Sequence, residues 1–279
     1  MTAILLALSA SLAWGFSDFG AGVASRRLSL FVVAAISQSA GLALAAVAVV
    51  IAGHDAPSAE QFAWAAAAGL VGIVGISAFY RALAVGTMGI IGPITATAAI
   101  VPVAYGLARG ERPSPLQGVG VALAAVGVVL ASLEPLPDGG GRKVGTGVGL
   151  ALGAALCFGF SLIGLSRAAP GGAAWAVMTM RLAVVPPLIV TVLLMKGRVP
   201  ATTRGWLLLV GVGFADTGAT LLYSVATTKG LLSVVAVLAS LFPIVLVVLA
   251  HTILHERVSR SQLAGVGVAL SGVALISAG

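Results

Sequence analysis

The most constraining feature of this sequence is a stretch that occurs twice. Residues 111–132 read ERPSPLQGVGVALAAVGVVLAS, and residues 256–277 read ERVSRSQLAGVGVALSGVALIS. Eleven of the 22 aligned positions are identical, including the polar pattern Glu-Arg-x-Ser-x-x-Gln. Residues 6–20 and 150–164 form a second pair, with nine of fifteen positions identical. The chain therefore consists of two copies of one unit in tandem.

The composition indicates where these two copies fold. Hydrophobic residues make up 59% of the chain and charged residues only 8%, whereas a soluble domain carries about 25% charged residues. The apolar runs approach the roughly 20 residues that a helix needs to cross a bilayer. The net charge of +7 arises mostly from basic residues in the short gaps between these runs, where they orient helices rather than bind nucleic acid. An all-α integral membrane protein is predicted.

Ten apolar runs predict ten transmembrane helices, five in each copy. We predict a first repeat over residues 1–134, a linker over 135–145 and a second repeat over 146–279. The ten spans are expected at about 3–24, 30–52, 62–84, 88–107, 115–133, 146–167, 173–195, 205–228, 231–252 and 260–278. Prolines inside spans are expected to mark bends, namely Pro93, Pro102, Pro186, Pro187 and Pro243.

An odd number of spans per copy has a geometric consequence. The second copy begins on the opposite side of the membrane from the first, so the two copies are expected to be inverted repeats, with Gly120 and Gly265 in equivalent places. Inverted repeats are typical of secondary transporters, in which the substrate site lies near the midplane between the halves. The pattern thus favours a transporter.

Three motifs resemble a known family. They are Trp14-Gly15-Phe16-Ser17 in the first span, Gly110-Glu111-Arg112-x-Ser-x-x-Gln117 before the fifth, and the repeated Glu256-Arg257 turn. In this order, and duplicated, they resemble the drug/metabolite transporter superfamily, EamA-type. The resemblance implies a cofactor-free, ten-helix carrier that exports amino acids or other small metabolites. We expect a multi-pass protein of the cell (inner) membrane, acting as a monomer or homodimer on a small-molecule substrate.

Charged residues at membrane depth are candidates for the transport pathway. A charge at a helix centre costs roughly 2.5–3.5 kcal/mol on an insertion scale, so it normally faces a cavity or a partner. Asp216 and Arg181 are the clearest cases, and their repeat partners fall near residues 73–74 and 37–38, so neither charge is duplicated. The predicted substrate and proton pathway comprises Arg181, Asp216, Asp18, Trp14, Ser17, Gln38, Tyr80 and Tyr223.

The separation of Asp216 from Arg181 decides between two hypotheses. In direct contact, the two side chains form a structural ion pair between neighbouring helices. Separated by a cavity, Asp216 would exchange a proton while Arg181 holds an anionic group of the substrate.

Other polar and aromatic residues leave two interpretations open. Asp18 either faces a cavity or reaches Arg26 or Arg27 at the membrane interface. Trp14, Tyr80 and Tyr223 either pack in the protein core or line the cavity. Glu111 and Glu256 are interpreted as helix-entry residues near the N-termini of spans 5 and 10.

The rival class is a membrane-embedded enzyme or flippase acting on a lipid-linked substrate. Such an enzyme needs clustered polar chemistry, and the sequence shows no such cluster. His251 and His255 have a spacing that can bind metal, but an interfacial pair at a helix end is favoured, and no metal site is expected. Cys157 is a single cysteine, which excludes an intramolecular disulfide and a cysteine metal cluster. No nucleotide-binding fingerprint is present, so we expect neither ATP nor another cofactor.

Membrane orientation receives two opposite indications. Ten basic residues lie in loops after odd-numbered spans and four in loops after even-numbered spans. Positive-inside reasoning therefore predicts that both termini lie outside the cell. The family resemblance implies that both lie in the cytoplasm.

Overall fold

The architecture is helical throughout the part of the chain that the structure describes. The computed structural model covers residues 1–53, 55–85, 94–131, 147–197, 199–254 and 259–279. Short 3-10 turns at Thr97–Ala99 and Ala169–Gly171 interrupt or extend the helices. The α-helices are α1 (Thr2–Ser25), α2 (Leu30–Ala52), α3 (Ala59–Val85), α4 (Ile100–Ala108), α5 (Pro115–Ala131), α6 (Val148–Ala168), α7 (Ala173–Leu194), α8 (Thr203–Thr227), α9 (Leu232–Ala239), α10 (Phe242–Leu254) and α11 (Arg260–Ala278).

Seven helices within the described ranges are long and apolar enough to cross a membrane. Three shorter apolar helical stretches, Ile94–Ala108, Pro115–Ala131 and Leu232–Val245, lie where spans 4, 5 and 9 are expected. The prediction of an all-α membrane protein is confirmed. The count of ten crossings stays a prediction, and the expected linker over 135–145 lies outside the described residues.

The apolar stretch where span 9 is expected is interrupted near its middle. Between α9 and α10 the helix breaks at Ser240 and Leu241, and Pro243 lies in the first turn of α10. A proline is tolerated there because the first helical N–H groups have no intrahelical acceptor. In contrast, α7 continues through Pro186 and Pro187 without a break in its helical assignment. Pro93 lies outside the described residues.

The repeated Ser-x-x-Gln pattern forms capping boxes at the starts of α5 and α11. The Ser114 backbone N–H donates to Gln117 Oε1 (3.0 Å), and the Gln117 N–H donates to Ser114 Oγ (3.2 Å). Ser259 and Gln262 make the same reciprocal bonds at 2.8 and 3.2 Å. Each box satisfies two backbone donors that a helix start leaves without partners. The polar identities in the repeat therefore have a local structural cause.

Helices α5 and α11 pack against each other so closely that small residues are required. The start of each helix meets the end of the other, so the two run antiparallel. Positions of α5 and α11 that are 145 apart in residue number make equivalent contacts with the facing helix. The contacts are Gly120 with Ile276, Gly127 with Ala269, Gly265 with Ala131 and Gly272 with Ala124.

Contacts between helix ends define two ends of the bundle. At the end where α1 begins, Gly230 lies against Ala3. Gly279, the last residue, lies against Ser114 at this same end, which we call the N-terminal end. At the opposite end, Gly197 packs against Val32 near the start of α2. These contacts place the starts of α1, α5 and α9 at the N-terminal end and the start of α2 at the opposite end.

A second hydrogen bond recurs in both halves. Ser17 Oγ on α1 donates to the Val212 carbonyl on α8 at 3.1 Å, and Ser161 Oγ on α6 donates to the Ala68 carbonyl on α3 at 2.7 Å. The two bonds are related by a shift of 144 residues in each partner, with the halves exchanged. Helix α1 thus packs on α8 as α6 packs on α3.

Candidate functional site

Arg181 and Asp216 are in direct contact inside the bundle. Arg181 Nη2 lies 2.8 Å from Asp216 Oδ2. Arg181 is only 4% exposed, and the Asp216 side chain is 23% exposed. Both residues lie well inside their helices, α7 and α8. The geometry meets the direct-contact condition under which the two side chains form a structural ion pair.

Two residues from the first half of the chain complete the shell of this pair. Gln38 Nε2 on α2 donates to Asp216 Oδ2 at 3.0 Å, and Arg181 Nη1 donates to Gln38 Oε1. Trp14 Nε1 on α1 donates to Asp216 Oδ1 at 3.1 Å. The resulting cluster, which we call the polar cluster, contains Trp14, Gln38, Arg181, Asp216 and Thr220. It joins α1 and α2 to α7 and α8.

Thr220 links the two charged residues a second time. Arg181 Nη2 donates to Thr220 Oγ1 at 3.1 Å, and that hydroxyl donates to the Asp216 carbonyl at 2.7 Å. Both terminal nitrogens of Arg181 therefore have acceptors within the cluster. Its Nε atom is buried and has no hydrogen-bond partner among the described residues. Thr220 was not among the residues predicted from the sequence, because a threonine in an apolar span carries no distinguishing pattern.

Close contacts of two glycines indicate which positions of the two halves correspond at the cluster. The Ser37 carbonyl on α2 faces Gly213, as the Met180 carbonyl on α7 faces Gly69. The following residues, Gln38 and Arg181, therefore occupy matching places.

The same contacts correct the expected match of Asp216. Asp216 follows Gly213 by three residues, and Gly72 follows Gly69 by three. Gly72, rather than residues 73–74, is therefore the match. The prediction was off by one because the shift between these helices is 144 residues.

Two pairs of aromatic rings occupy matching places in the two halves, and one of them includes Trp14 of the cluster. Trp14 lies 5.8 Å from the ring of Tyr223, and Phe158 lies 6.4 Å from the ring of Phe79. Tyr223 is fully buried, and its hydroxyl donates to the Leu162 carbonyl at 3.3 Å. The two ring pairs differ by the same shift of 144 residues, so Phe79 takes the place that the sequence suggested for Tyr80. The side chain of Tyr80 lies outside the described part of the chain.

Asp18 lies one turn beyond Trp14 on α1 and is exposed. Among the described residues it makes no hydrogen bond and no ion pair. The expected alternative, a contact with Arg26 or Arg27 at the interface, is therefore not formed in this structure. Ser17, its neighbour, is buried and holds α1 against α8.

Glu111 has a partner that the sequence did not indicate. Its carboxylate accepts hydrogen bonds from the backbone N–H groups of Leu232 (2.7 Å) and Ser233 (2.9 Å), the first residues of α9. The interpretation as a helix-entry residue is right in kind but names the wrong helix, because Glu111 caps α9 of the other half rather than α5. The repeat partner, Glu256, lies outside the described residues.

The chemistry of the cluster is that of binding and positioning. Within the described ranges, no group of three or more His, Cys, Asp or Glu side chains is arranged to hold a metal ion. His251 lies in the last turn of α10, and His255 falls outside those ranges. The cluster therefore offers hydrogen bonds and one compensated ion pair at membrane depth.

Membrane-length apolar helices around a buried polar cluster define a multi-pass membrane protein. The chain matches the EamA-like transporter family over residues 1–133 and again over residues 145–278, and it belongs to that family. The family lies within the drug/metabolite transporter superfamily, and its members are transporters rather than enzymes.

Comparison with solved structures supports the fold. One crystal structure of a protein, with 18% sequence identity, superposes with a TM-score of 0.78. The alignment covers 98% of this chain and 95% of that chain. At this identity the likeness concerns the fold alone. No curated protein matches the sequence.

Proposed function

We propose that the protein is a secondary active transporter that moves a small metabolite across the cell membrane by alternating access. The observation that carries the proposal is the polar cluster, because both halves of the chain contribute to it near the middle of apolar helices. Burying such groups in a membrane is costly, and polar residues there normally serve a pathway or a partner. We assign the remaining candidates, Ser17, Asp18, Tyr80 and Tyr223, to the same pathway.

The proposed architecture has ten crossings in two inverted repeats of five. Antiparallel packing of α5 on α11 supports it, as do contacts that recur after exchange of the halves. A rotation axis in the membrane plane relates two units in this way, and carriers with this architecture place their substrate near that axis. Interrupted helices at membrane depth are also typical of such carriers, and the break between α9 and α10 fits this expectation.

The contact between Arg181 and Asp216 supports a structural role for the pair in the proposed cycle. At 2.8 Å the carboxylate is compensated by the guanidinium, so a proton that binds Asp216 would have to displace Arg181. We therefore propose that the pair holds α1, α2, α7 and α8 together in this state. Coupling to an ion gradient then belongs to another group on the pathway.

Export of an amino acid or a related compound is the direction and substrate class that the family resemblance favours. The test is counterflow in proteoliposomes that contain the purified protein and are loaded with unlabelled amino acids and small amines. External labelled solutes of the same set should accumulate transiently, which empty liposomes do not show. The proposal is contradicted if the reconstituted protein is folded and its vesicles accumulate no more labelled solute than protein-free vesicles do.

A further inference from the structure

The inner face of α1 changes from buried to exposed along its length. The lipid-facing side of this helix is marked by exposed Leu5, Leu12 and Phe16. At about 100° per residue, Asp18 lies roughly 140° around the axis from the centre of that stripe. Gly15 and Ser17 contact α10 and α8 on either side of this direction. Asp18 is therefore exposed although it points away from lipid.

Residues in line with Asp18 show where the open space lies. Ala7 and Ser11, toward the N-terminal end, are 0% and 2% exposed, and Trp14 is half-buried. Asp18 and Gly22, toward the opposite end, are both exposed. A side chain built at Gly22 would meet no atom within 4 Å. The row is therefore closed from Ala7 to Trp14 and accessible from Asp18 to Gly22, and we call the space beside Asp18 and Gly22 the crevice.

The charge of this crevice follows from the groups around it. Arg181 is compensated by Asp216 and is almost fully buried, so it offers little surface to an anion. Helices α2 and α9 contain no charged residue. The charged or titratable residues on the described elements that pack against α1, or directly after its end, are Arg26, Arg27, Arg204, Asp216, Tyr223 and His251. No ion pair joins Asp18 to any of them, so within the described part of the chain its carboxylate has no counter-charge in direct contact.

We propose that Asp18, with the Trp14 ring one turn below it, binds the positively charged group of the substrate. The carrier then takes small organic cations such as protonated amines. A carboxylate supplies charge-assisted hydrogen bonds to an ammonium group, and an indole face attracts cations. Residues four apart on a helix lie on the same face, so both groups reach one ligand. The inference rests on the proposed function and replaces Arg181 by Asp18 as the residue that recognises substrate charge.

The test uses probes of equal shape and different charge. Benzylammonium, benzamide and benzoate form one set, and cyclohexylammonium, cyclohexanecarboxamide and cyclohexanecarboxylate form a second. Binding is measured as the rise in Tm of the purified full-length protein, because a ligand that binds only the folded state raises its stability. We expect the ammonium member of at least one set to raise Tm most. We also expect Asp18→Asn to weaken its binding roughly 10- to 100-fold, the loss of one charged contact.

Two further variants separate a binding effect from a folding effect. Asp18→Glu retains the charge and should retain most of the preference for the cation. Asp55→Asn removes an exposed carboxylate in the loop after α2 and should leave binding unchanged. Stronger binding of a benzoate or amide probe, or unchanged cation binding in Asp18→Asn, would overturn the assignment.

Flux in proteoliposomes distinguishes this failure from failure of the proposed function. Transport of neutral or anionic solutes that is insensitive to Asp18→Asn contradicts the substrate class and leaves the carrier intact. If no solute moves and no probe binds, both the carrier and the substrate class are contradicted.

Discussion

Arg181 is the residue that makes the most contacts within the polar cluster, all of them through its guanidinium group. The guanidinium forms an ion pair with Asp216 and donates hydrogen bonds to Gln38 and Thr220. Arg181 is only 4% exposed. A buried charge is tolerated only while its partner is present. When one member of the pair is replaced, the loss of stability therefore depends on whether the other member stays charged and buried.

Removing one member of the pair should cost more than removing both. Asp216→Asn leaves Arg181 buried without a counter-charge, which costs roughly 3–5 kcal/mol when a buried pair is broken. The double variant Asp216→Asn with Arg181→Leu removes the uncompensated charge and should recover part of the loss. The measurement is the Tm in detergent of Asp216→Asn, of Arg181→Leu and of the double variant. Additive losses in the double variant would contradict the structural pair.

The indole N–H of Trp14 should matter more than that of Trp206. Trp14→Phe keeps an aromatic ring but removes the hydrogen bond to the Asp216 carboxylate, a loss of about 1.5–3 kcal/mol for a charged acceptor. Trp206→Phe is the matched control, because its N–H donates to the neutral Pro200 carbonyl near the start of α8. Unfolding midpoints should fall clearly for Trp14→Phe only. Equal shifts in both variants would show that the bond to Asp216 has no special weight.

The sequence predicts the charged members of the cluster and misses its neutral and distant ones. Asp216 and Arg181 are recognisable because a charge in an apolar span is rare and costly. Thr220 is not, because threonine is common in membrane helices. The partners of Glu111 are 121 and 122 residues away, at the start of a helix in the other half. Local spacing indicates that Glu111 caps a helix, but only tertiary packing selects which one.

At the scale of elements, α9 depends on a residue outside itself. This helix has only eight residues, and its N-cap residue Leu231 has no side-chain acceptor. The Glu111 carboxylate supplies the missing acceptors for Leu232 and Ser233. Its negative charge also lies at the positive end of the helix dipole.

Replacement of Glu111 by Gln should therefore destabilise the protein by roughly 1 kcal/mol, since it removes the charge and one of two acceptor oxygens. Glu60→Gln is the control, because Glu60 is a largely exposed carboxylate in the first turn of α3. The thermal midpoint reports the difference. A loss in Glu60→Gln as large as in Glu111→Gln would argue against the cap.

The contact of α5 with α11 should be sensitive to side-chain size at the glycines that face the other helix, and insensitive at the glycines that face away from it. Gly127 and Gly272 lie against backbone of the facing helix, so valine has no room there. Gly118 and Gly267 on the same two helices face open space. Gly127→Val should lower stability by about 1–3 kcal/mol or more, while Gly118→Val should have little effect. The yield of monodisperse protein and its Tm measure this, and equal tolerance of both valines would contradict the close contact.

At the scale of the whole molecule, duplication of the sequence explains the helix contacts that recur in both halves, but it does not explain the polar cluster. Contacts at Ser17 and Ser161 recur in both halves because the residues themselves recur. At the cluster, Gln38 faces Arg181 and Gly72 matches Asp216, so the matching positions have diverged. The recurring contacts were therefore predictable from the repeat. The end of the bundle at which the crevice opens could not be predicted in this way. The two halves have related sequences, and the repeat does not indicate which of their corresponding surfaces is closed.

The crevice beside Asp18 is open at one end of the bundle and closed at Trp14, a member of the polar cluster. Side-specific labelling of Gly22→Cys tests this most directly, in a Cys157→Ala background with a water-soluble maleimide applied to either side of sealed vesicles. Leu12→Cys on the lipid face and Ala7→Cys at the closed end are the controls. We expect Gly22→Cys to react only from the side opposite the N-terminus, and both controls to stay unreactive. Equal reaction at position 22 from both sides, or none from either, would contradict it.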